Sequence, residues 1–145
     1  MALRFYSKEW LEAVIKKANN DKAYLEKAKK LTGSFLSVIT DCPDGNDVKV
    51  WIKFDKGKVV DYEYKAEPVP ASFRIENEPW DKSISLVKAQ GTYDTFKKIQ
   101  MKEMNPMQAL GSGLYKSEGN MVQLIKLMPY NKAYTDLQAT VDCKY

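Results

Sequence analysis

Two stretches near the start of the chain show the hydrophobic spacing of amphipathic helices. The first stripe runs over residues 11–18, and it predicts a helix that Ser7 caps and that ends at Asn20. The second predicted helix begins near Asp21 and is stopped by Gly33. The apolar positions are Leu11, Val14, Ile15 and Ala18 in the first helix and Tyr24, Ala28 and Leu31 in the second.

The hydrophobic period changes to two after Gly33, which is typical of strands. Residues 34–40, 48–54, 60–64 and 72–76 are the predicted strands of this region, and in the third of them Val60, Tyr62 and Tyr64 alternate with Asp61 and Glu63. In the second strand, apolar residues alternate with Lys49, Trp51 and Lys53, so one face of the strand is expected to be buried. Turn-forming residues separate the first three strands, and Pro68 and Pro70 separate the third from the fourth.

Helical spacing returns after Pro79 and continues to the end of the chain. The predicted elements are a helix over residues 80–91, a helix that Thr92 caps, a helix that starts at Asn105-Pro106, a strand over residues 114–117, a helix from Asn120 to Pro129, and one more helix beyond Pro129. This order of elements predicts an α+β fold, a twisted and mainly antiparallel five-stranded sheet with helices covering one face. The late strand is expected to join the sheet already formed.

Composition is ordinary for a soluble protein, with 44% hydrophobic and 29% charged residues. The net charge of +4 is modest, and acidic residues are interleaved among the lysines of the N-terminal helices. This argues against nucleic-acid binding, which usually needs a concentrated basic face. A solvated helical face and a weak contact with an anionic membrane surface both remain open for these lysines.

The chain contains no histidine, which excludes Ser-His-Asp and Cys-His catalytic arrangements and most zinc sites. We therefore predict no catalytic residues, no metal site and no cofactor. Cys42 and Cys143 do not have metal-ligand spacing, and no secretory signal or membrane-spanning segment is visible. A cytoplasmic protein with reduced cysteines is expected.

The stretch from Met104 to Leu127, MNPMQALGSGLYKSEGNMVQLIKL, resembles the sterol carrier protein type-2 domain. The matching positions are Asn105, Pro106, Ala109, Gly113, Gly119, Asn120, Lys126 and Leu127. Upstream, the strand with Val50-Trp51-Ile52, the turn Lys56-Gly57-Lys58 and the region from Phe73 to Val87 resemble the family in order and spacing. The matching glycines and proline are architectural residues, so they identify a fold and not a chemistry.

The resemblance implies an apolar tunnel between the sheet and the helices, in which family members bind sterols, fatty acids or acyl-CoA. It implies one domain over residues 1–145, with N-terminal helices in 1–32, a core in 33–128 and a C-terminal helical tail in 129–145. The chain departs from the family pattern in its N-terminal extension, in the linker of residues 91–104 and in its tail. The tail ends in Asp142-Cys143-Lys144-Tyr145, which is not a peroxisomal signal.

We expect a ligand-binding wall built from both the sheet and the helices. The predicted wall residues are Phe35, Val50, Ile52, Tyr62 and Phe73 from the sheet and Met104, Leu110, Met121, Leu124, Ile125 and Met128 from the helices. Methionine is flexible and polarizable, and it suits a surface that accepts varied apolar ligands. The same residues would fill a solid core if no tunnel existed.

The leading hypothesis is non-catalytic binding or transfer of a long-chain lipid. This lipid would be a fatty acid, an acyl-CoA or a sterol-like molecule. The alternative is an accessory protein with a filled core that binds a protein partner. An enzyme that acts on lipid thioesters is a third interpretation. The sequence leaves the ligand and the oligomeric state open.

Overall fold

The computed structural model of the protein describes residues 3–145. The helices are α1 (Lys8–Asn20), α2 (Lys22–Lys27), α3 (Tyr93–Gln100), α4 (Pro106–Gly111) and α5 (Met121–Gln138). The strands are β1 (Leu3–Arg4), β2 (Gly33–Thr40), β3 (Asn46–Asp55), β4 (Lys58–Pro68), β5 (Val87–Thr92), β6 (Tyr115–Gly119) and β7 (Cys143–Lys144). The predicted α+β class is confirmed.

Five strands form one sheet in the order β4-β3-β2-β5-β6. Three of the four neighbouring pairs are antiparallel, and β2 pairs in parallel with β5. The late strand β6 joins this sheet at its edge, as predicted. A separate short pair, β1 with β7, brings the two ends of the described chain together.

The strand register assigns the side chains to two faces of the sheet. Phe35 pairs with Ile52 on the face that the helices cover, and Leu36 pairs with Trp51 on the opposite face. On the helical face, α1 packs on β4, while α3 packs on β2 and β5. The side of this face covered by α1 is filled by a core that includes Phe5, whose ring lies 5.0 Å from that of Trp10.

The first helix begins and ends where the sequence predicts, with Ser7 as its N-cap. The prediction that α2 extends to Gly33 is wrong, because this helix ends at Lys27 and Gly33 begins β2. The reason is a contact with the β3–β4 turn. The carbonyl of Leu31 accepts a hydrogen bond from the amide of Gly57 at 2.8 Å, which draws the chain out of the helix.

Residues 69–86, hereafter the back segment, contain no helix and no strand and cover the sheet face opposite the helices. The predicted strand over 72–76 and the predicted helix over 80–91 are therefore wrong. Side chains of the sheet hold this segment by its backbone, since Asp47 accepts from the Ala71 amide and Gln90 accepts from the Ile75 amide. Val87–Thr92 is a central strand buried on both faces, so its apolar spacing does not report a helix.

Two further predictions are corrected. A bulge in β4 pairs Phe54 with Val59 and Lys53 with Asp61, so Val60 becomes an unpaired, exposed residue and Val59 is buried in its place. At the C-terminal end, Pro129 does not divide two helices, because α5 runs through it without interruption. No helix of residues 3–145 is both long enough and apolar enough to cross a membrane.

Candidate functional site

A cavity of about 900 Å³ lies between the helical face of the sheet and helices α3, α4 and α5. The sheet contributes residues of β2, β3, β5 and β6, and the loop between α3 and α4 closes part of one side. The apolar lining consists mainly of Leu11, Phe35, Val50, Ile52, Phe54, Val87, Ala89, Phe96, Ile99, Met104, Met107, Leu110, Met121, Leu124, Ile125 and Met128. Its size and apolar character are those of small-molecule binding pockets.

Local capping interactions position the helices that form this cavity. Asn105 caps α4 by accepting from the Gln108 amide at 2.8 Å, while the Gln108 side chain accepts from the Asn105 amide at 3.0 Å. Pro106 occupies the first turn, as the sequence predicts. Asn120 caps α5 by accepting from the Gln123 amide at 3.0 Å, which sets the rotation of the apolar side chains that follow.

Nine of the eleven wall residues predicted from the sequence lie around this one cavity. They are Phe35, Val50, Ile52, Met104, Leu110, Met121, Leu124, Ile125 and Met128. The sheet supplies the first three, and the other six come from α4, α5 and the loop that precedes α4. The structure therefore brings together residues that are widely separated in the chain.

Tyr62 and Phe73 do not line the cavity. Tyr62 lies on the edge strand β4 under α1, where its hydroxyl donates to the carboxylate Oε2 of Glu12 at 2.7 Å. Phe73 belongs to the back segment and packs against Val38 and Ala71 on the opposite face of the sheet. Their assignment to the wall is wrong for different reasons. Tyr62 is outside the cavity because α1 covers β4, and Phe73 is outside it because residues 72–76 do not form a strand of the sheet.

The cavity opens to solvent on the side of α4 and the first half of α5. Met107 and Ile125 both line it, yet their exposed fractions are 57% and 60%. Two large apolar residues nearby in the chain, Leu114 and Val122, are exposed as well but do not belong to the lining. An exposed apolar rim around an apolar cavity is unusual for a protein surface and typical of a ligand entrance.

Charged residues of the lining lie only at solvent-exposed positions. Lys132 and Asp136 are paired at 2.8 Å on α5, and Lys102 approaches Asp136 at 3.9 Å. Glu103 adds a second negative charge, so the two positive and two negative groups balance. The charged lining therefore gives the entrance no net preference for an anionic group.

Tyr6, Gln100 and Gln138 contribute uncharged polar side chains to the inner part of the lining, and these three residues are hereafter the polar inner wall. The Gln138 Nε2 donates to the Gln100 Oε1 at 2.8 Å. Burial raises the pKa of the Tyr6 hydroxyl above its ordinary value, while the neighbouring Gln138 amide has a smaller, opposite effect. Tyr6 is held with a φ of 59°, a left-handed conformation that is uncommon for an aromatic residue.

Two further tyrosines lie along the cavity. Burial raises the pKa of Tyr115 to about 12, and that of Tyr134 also rises well above 10 because of burial. The Tyr134 ring packs against Phe54 with centroids 5.0 Å apart. Each of these hydroxyls therefore stays protonated at neutral pH and carries no charge.

The polar inner wall was not predicted from the sequence. A signal exists for Gln138, because it falls at i+4 from Tyr134 on the stripe that also contains Leu137 and Val141. A polar residue on such a stripe must be hydrogen-bonded when it is buried. Tyr6 gives no comparable signal, since it precedes the first helix and its position depends on packing against Trp10 and Phe96.

Sterol carrier proteins are among the solved structures with the same arrangement of strands and helices. A conserved hypothetical protein from Thermus thermophilus, suggested to be a sterol carrier protein, has a TM-score of 0.71 at 17% identity, covering 99% of this chain and 93% of that chain. A crystal structure of sterol carrier protein 2 has a TM-score of 0.66 at 19% identity, covering 95% and 99%. The chain has the sterol carrier protein type-2 fold.

The resemblance stated from the sequence is confirmed at the level of the fold. The apo form of sterol carrier protein 2 from Yarrowia lipolytica is also similar, with a TM-score of 0.52 and 13% identity over 97% of this chain and 98% of that chain. No protein-family model matches the sequence, and no curated protein matches it. At this identity the likeness shows the fold alone.

Proposed function

We propose that the protein binds a long-chain lipid reversibly in the cavity and releases it unchanged. The cavity of about 900 Å³ between sheet and helices carries this proposal, because its lining is mainly apolar and its entrance is open. Burial of an alkyl chain there would contribute about 0.8 kcal/mol per methylene group. The sterol carrier proteins of the same fold give the proposal independent support.

The methionines of the wall suit this role. Met104, Met121 and Met128 contact the same volume from two sides. Their unbranched side chains adapt to ligands of different shape at little cost, which favours a carrier of several related lipids over a site for one rigid molecule. The accessory-protein alternative requires a filled core, and an open cavity of this size does not fit it.

We also propose that the protein does not transform its ligand. The tyrosines of the lining have raised pKa values, with burial as the leading cause, so they are poor general bases at neutral pH. The chain has no histidine to take their place. Incubation with palmitoyl-CoA followed by mass spectrometry should return the intact thioester, and protein-dependent hydrolysis would contradict this part of the proposal.

The direct test is binding of a fluorescent long-chain fatty acid to the delipidated protein, combined with native mass spectrometry of the gently purified protein. Leu124→Trp places a bulky side chain into the cavity and should weaken binding at least ten-fold. Val122→Trp is the matched control, because Val122 lies on the same helix but outside the lining. Equal affinity of both variants and the wild type, or no uptake of any lipid, would contradict the proposal.

A further inference from the structure

The polar inner wall offers hydrogen bonds but no charge. Gln138 is 9% exposed and Tyr6 is 8% exposed, and both face the cavity. The charged residues of the lining, Lys102, Glu103, Lys132 and Asp136, lie instead where side chains reach solvent. A ligand group that reaches the inner wall therefore meets neutral donors and acceptors only.

Hydrogen-bonding capacity is left over at this wall. The Gln138 amide donates one bond to Gln100, and its carbonyl oxygen accepts none from any residue among 3–145. The Tyr6 hydroxyl lies beside the Gln138 amide, and the buried hydroxyl of Tyr134, another residue of the lining, has no hydrogen-bond partner among residues 3–145. Since a buried polar group without a partner is costly, an incoming ligand atom that completes these bonds is favoured.

The chemistry of that atom follows from the wall. An ionised carboxylate or phosphate would lose its hydration with no cation to compensate, which is strongly unfavourable. A hydroxyl would donate to the Gln138 carbonyl and accept from Tyr6, and a carbonyl would accept from Tyr6. Both are uncharged, and both fit.

We propose that the preferred ligand is a lipid with an uncharged oxygen, a hydroxyl or a carbonyl, at its buried end, hydrogen-bonded by Tyr6 and Gln138. This inference rests on the proposed function and specifies which class of lipid the cavity selects. A fatty acid binds in the opposite orientation. Its carboxylate stays among the exposed charged residues of the entrance, and its methyl end lies inside the cavity.

The test compares ligands of one chain length: hexadecane, 1-hexadecanol, 2-hexadecanone and palmitate, each measured by displacement of a fluorescent fatty acid. 1-Hexadecanol and 2-hexadecanone should bind more tightly than hexadecane. Gln138→Met should weaken 1-hexadecanol roughly three- to ten-fold, and Tyr6→Phe should weaken both neutral polar ligands by a similar factor. Hexadecane and palmitate should keep their affinities in both variants, which also shows that the cavity is intact.

Matched controls are Gln123→Met and Tyr62→Phe, the same substitutions at positions outside the lining. They should leave all four affinities unchanged. If no ligand binds the wild type, the proposed function fails and this inference with it. If all four ligands bind with equal affinity, or if the variants weaken hexadecane as much as 1-hexadecanol, the proposed function stands and the neutral-oxygen site is refuted.

Discussion

The Arg74 guanidinium donates two hydrogen bonds to the Asp47 carboxylate, from Nε to Oδ2 at 2.6 Å and from Nη2 to Oδ1 at 3.0 Å. The same carboxylate accepts from the amides of Asp41 and Ala71, both at 2.9 Å. Asp47 is fully buried, so this one side chain fastens the back segment to the sheet. The cavity lies on the other face of the same sheet.

Replacement of Asp47 by asparagine should destabilise the protein by about 3 kcal/mol. The substitution keeps the shape of the side chain but leaves the Arg74 charge with only its longer, exposed contact to Asp41 at 3.5 Å, and loss of one partner is the costly way to break a buried pair. Urea unfolding followed by circular dichroism measures the effect. Asp44→Asn is the matched control, because the Asp44 ion pair with Arg4 is partly exposed and should contribute under about 1 kcal/mol. Equal losses in the two variants would contradict this role of Asp47.

Protonation of Glu76 at acid pH should lower the free energy of unfolding of the protein. Hydrogen bonds from Lys116 and Gln90 lower the pKa of this carboxyl from 4.5 to about 2. A pKa that is lower in the folded state than in the unfolded state stabilises the fold above the unfolded value, and this contribution disappears as the pH falls from about 4.5 toward 2.

In Glu76→Gln, the free energy of unfolding should therefore decline less steeply over that pH range than in the wild type. Urea unfolding at pH 6, 4 and 3 provides the comparison. Between pH 6 and pH 8 the difference between the two proteins should stay constant, since the Glu76 carboxyl is ionised throughout. Parallel curves down to pH 3 would show that the contacts of Glu76 with Lys116 and Gln90 do not stabilise its charge.

Gly57→Ala should be much more damaging than Gly45→Ala. Both glycines have positive φ angles, 85° and 83°, so an alanine is strained at either position. A Cβ on Gly57 would also lie 2.8 Å from the carbonyl oxygen of Ala28, whereas a Cβ on Gly45 meets open space. We expect losses of about 3 kcal/mol and about 1 kcal/mol, measured by thermal or urea unfolding. A difference below measurement error would mean that the contact between the β3–β4 turn and α2 is loose.

The two thiols should react at very different rates. Both cysteines are free, and burial raises the pKa of Cys42 to about 11. Cys143 is partly exposed near the end of the chain. A disulfide reagent at pH 8 should modify one thiol rapidly and the second only after denaturation. Cys143→Ser should abolish the rapid phase, and Cys42→Ser should retain it; the reverse pattern would contradict the packing around Cys42.

Local signals in the sequence were sufficient for most of the helices. Ser7, Thr92, Asn105 and Asn120 each cap a helix in the structure as predicted. Capping is decided by residues three or four positions apart, so a single sequence contains the needed information. The back segment is different, because its backbone is held by Asp47 and Gln90, which are distant in the chain.

The cavity was accessible to sequence reasoning only in part. Period-two alternation places Phe35, Val50 and Ile52 on one face of the sheet, and the structure confirms that they share it. Alternation does not reveal what covers a face, so Tyr62, which lies beneath α1, was assigned to the same wall. The polar inner wall combines the N-terminal residue Tyr6 with the C-terminal residue Gln138, a long-range contact that no local pattern encodes.

The two halves of helix α5 differ in how extensively they pack against the rest of the protein. Before Pro129, only Leu127 is buried, and the other apolar side chains face the cavity or solvent. After it, Tyr134 and Leu137 are buried, and the helix packs on α1 and α2. Pro129 has no amide hydrogen, so the hydrogen bond that would link it to the Ile125 carbonyl is missing at the junction.

The consequence is a gradient of local stability along one helix. The first half of α5 should open at a free energy well below that of global unfolding, while the second half exchanges its amides only when the whole molecule unfolds. A bulky ligand can then enter when about two turns of α5 fray, while the aromatic core stays packed.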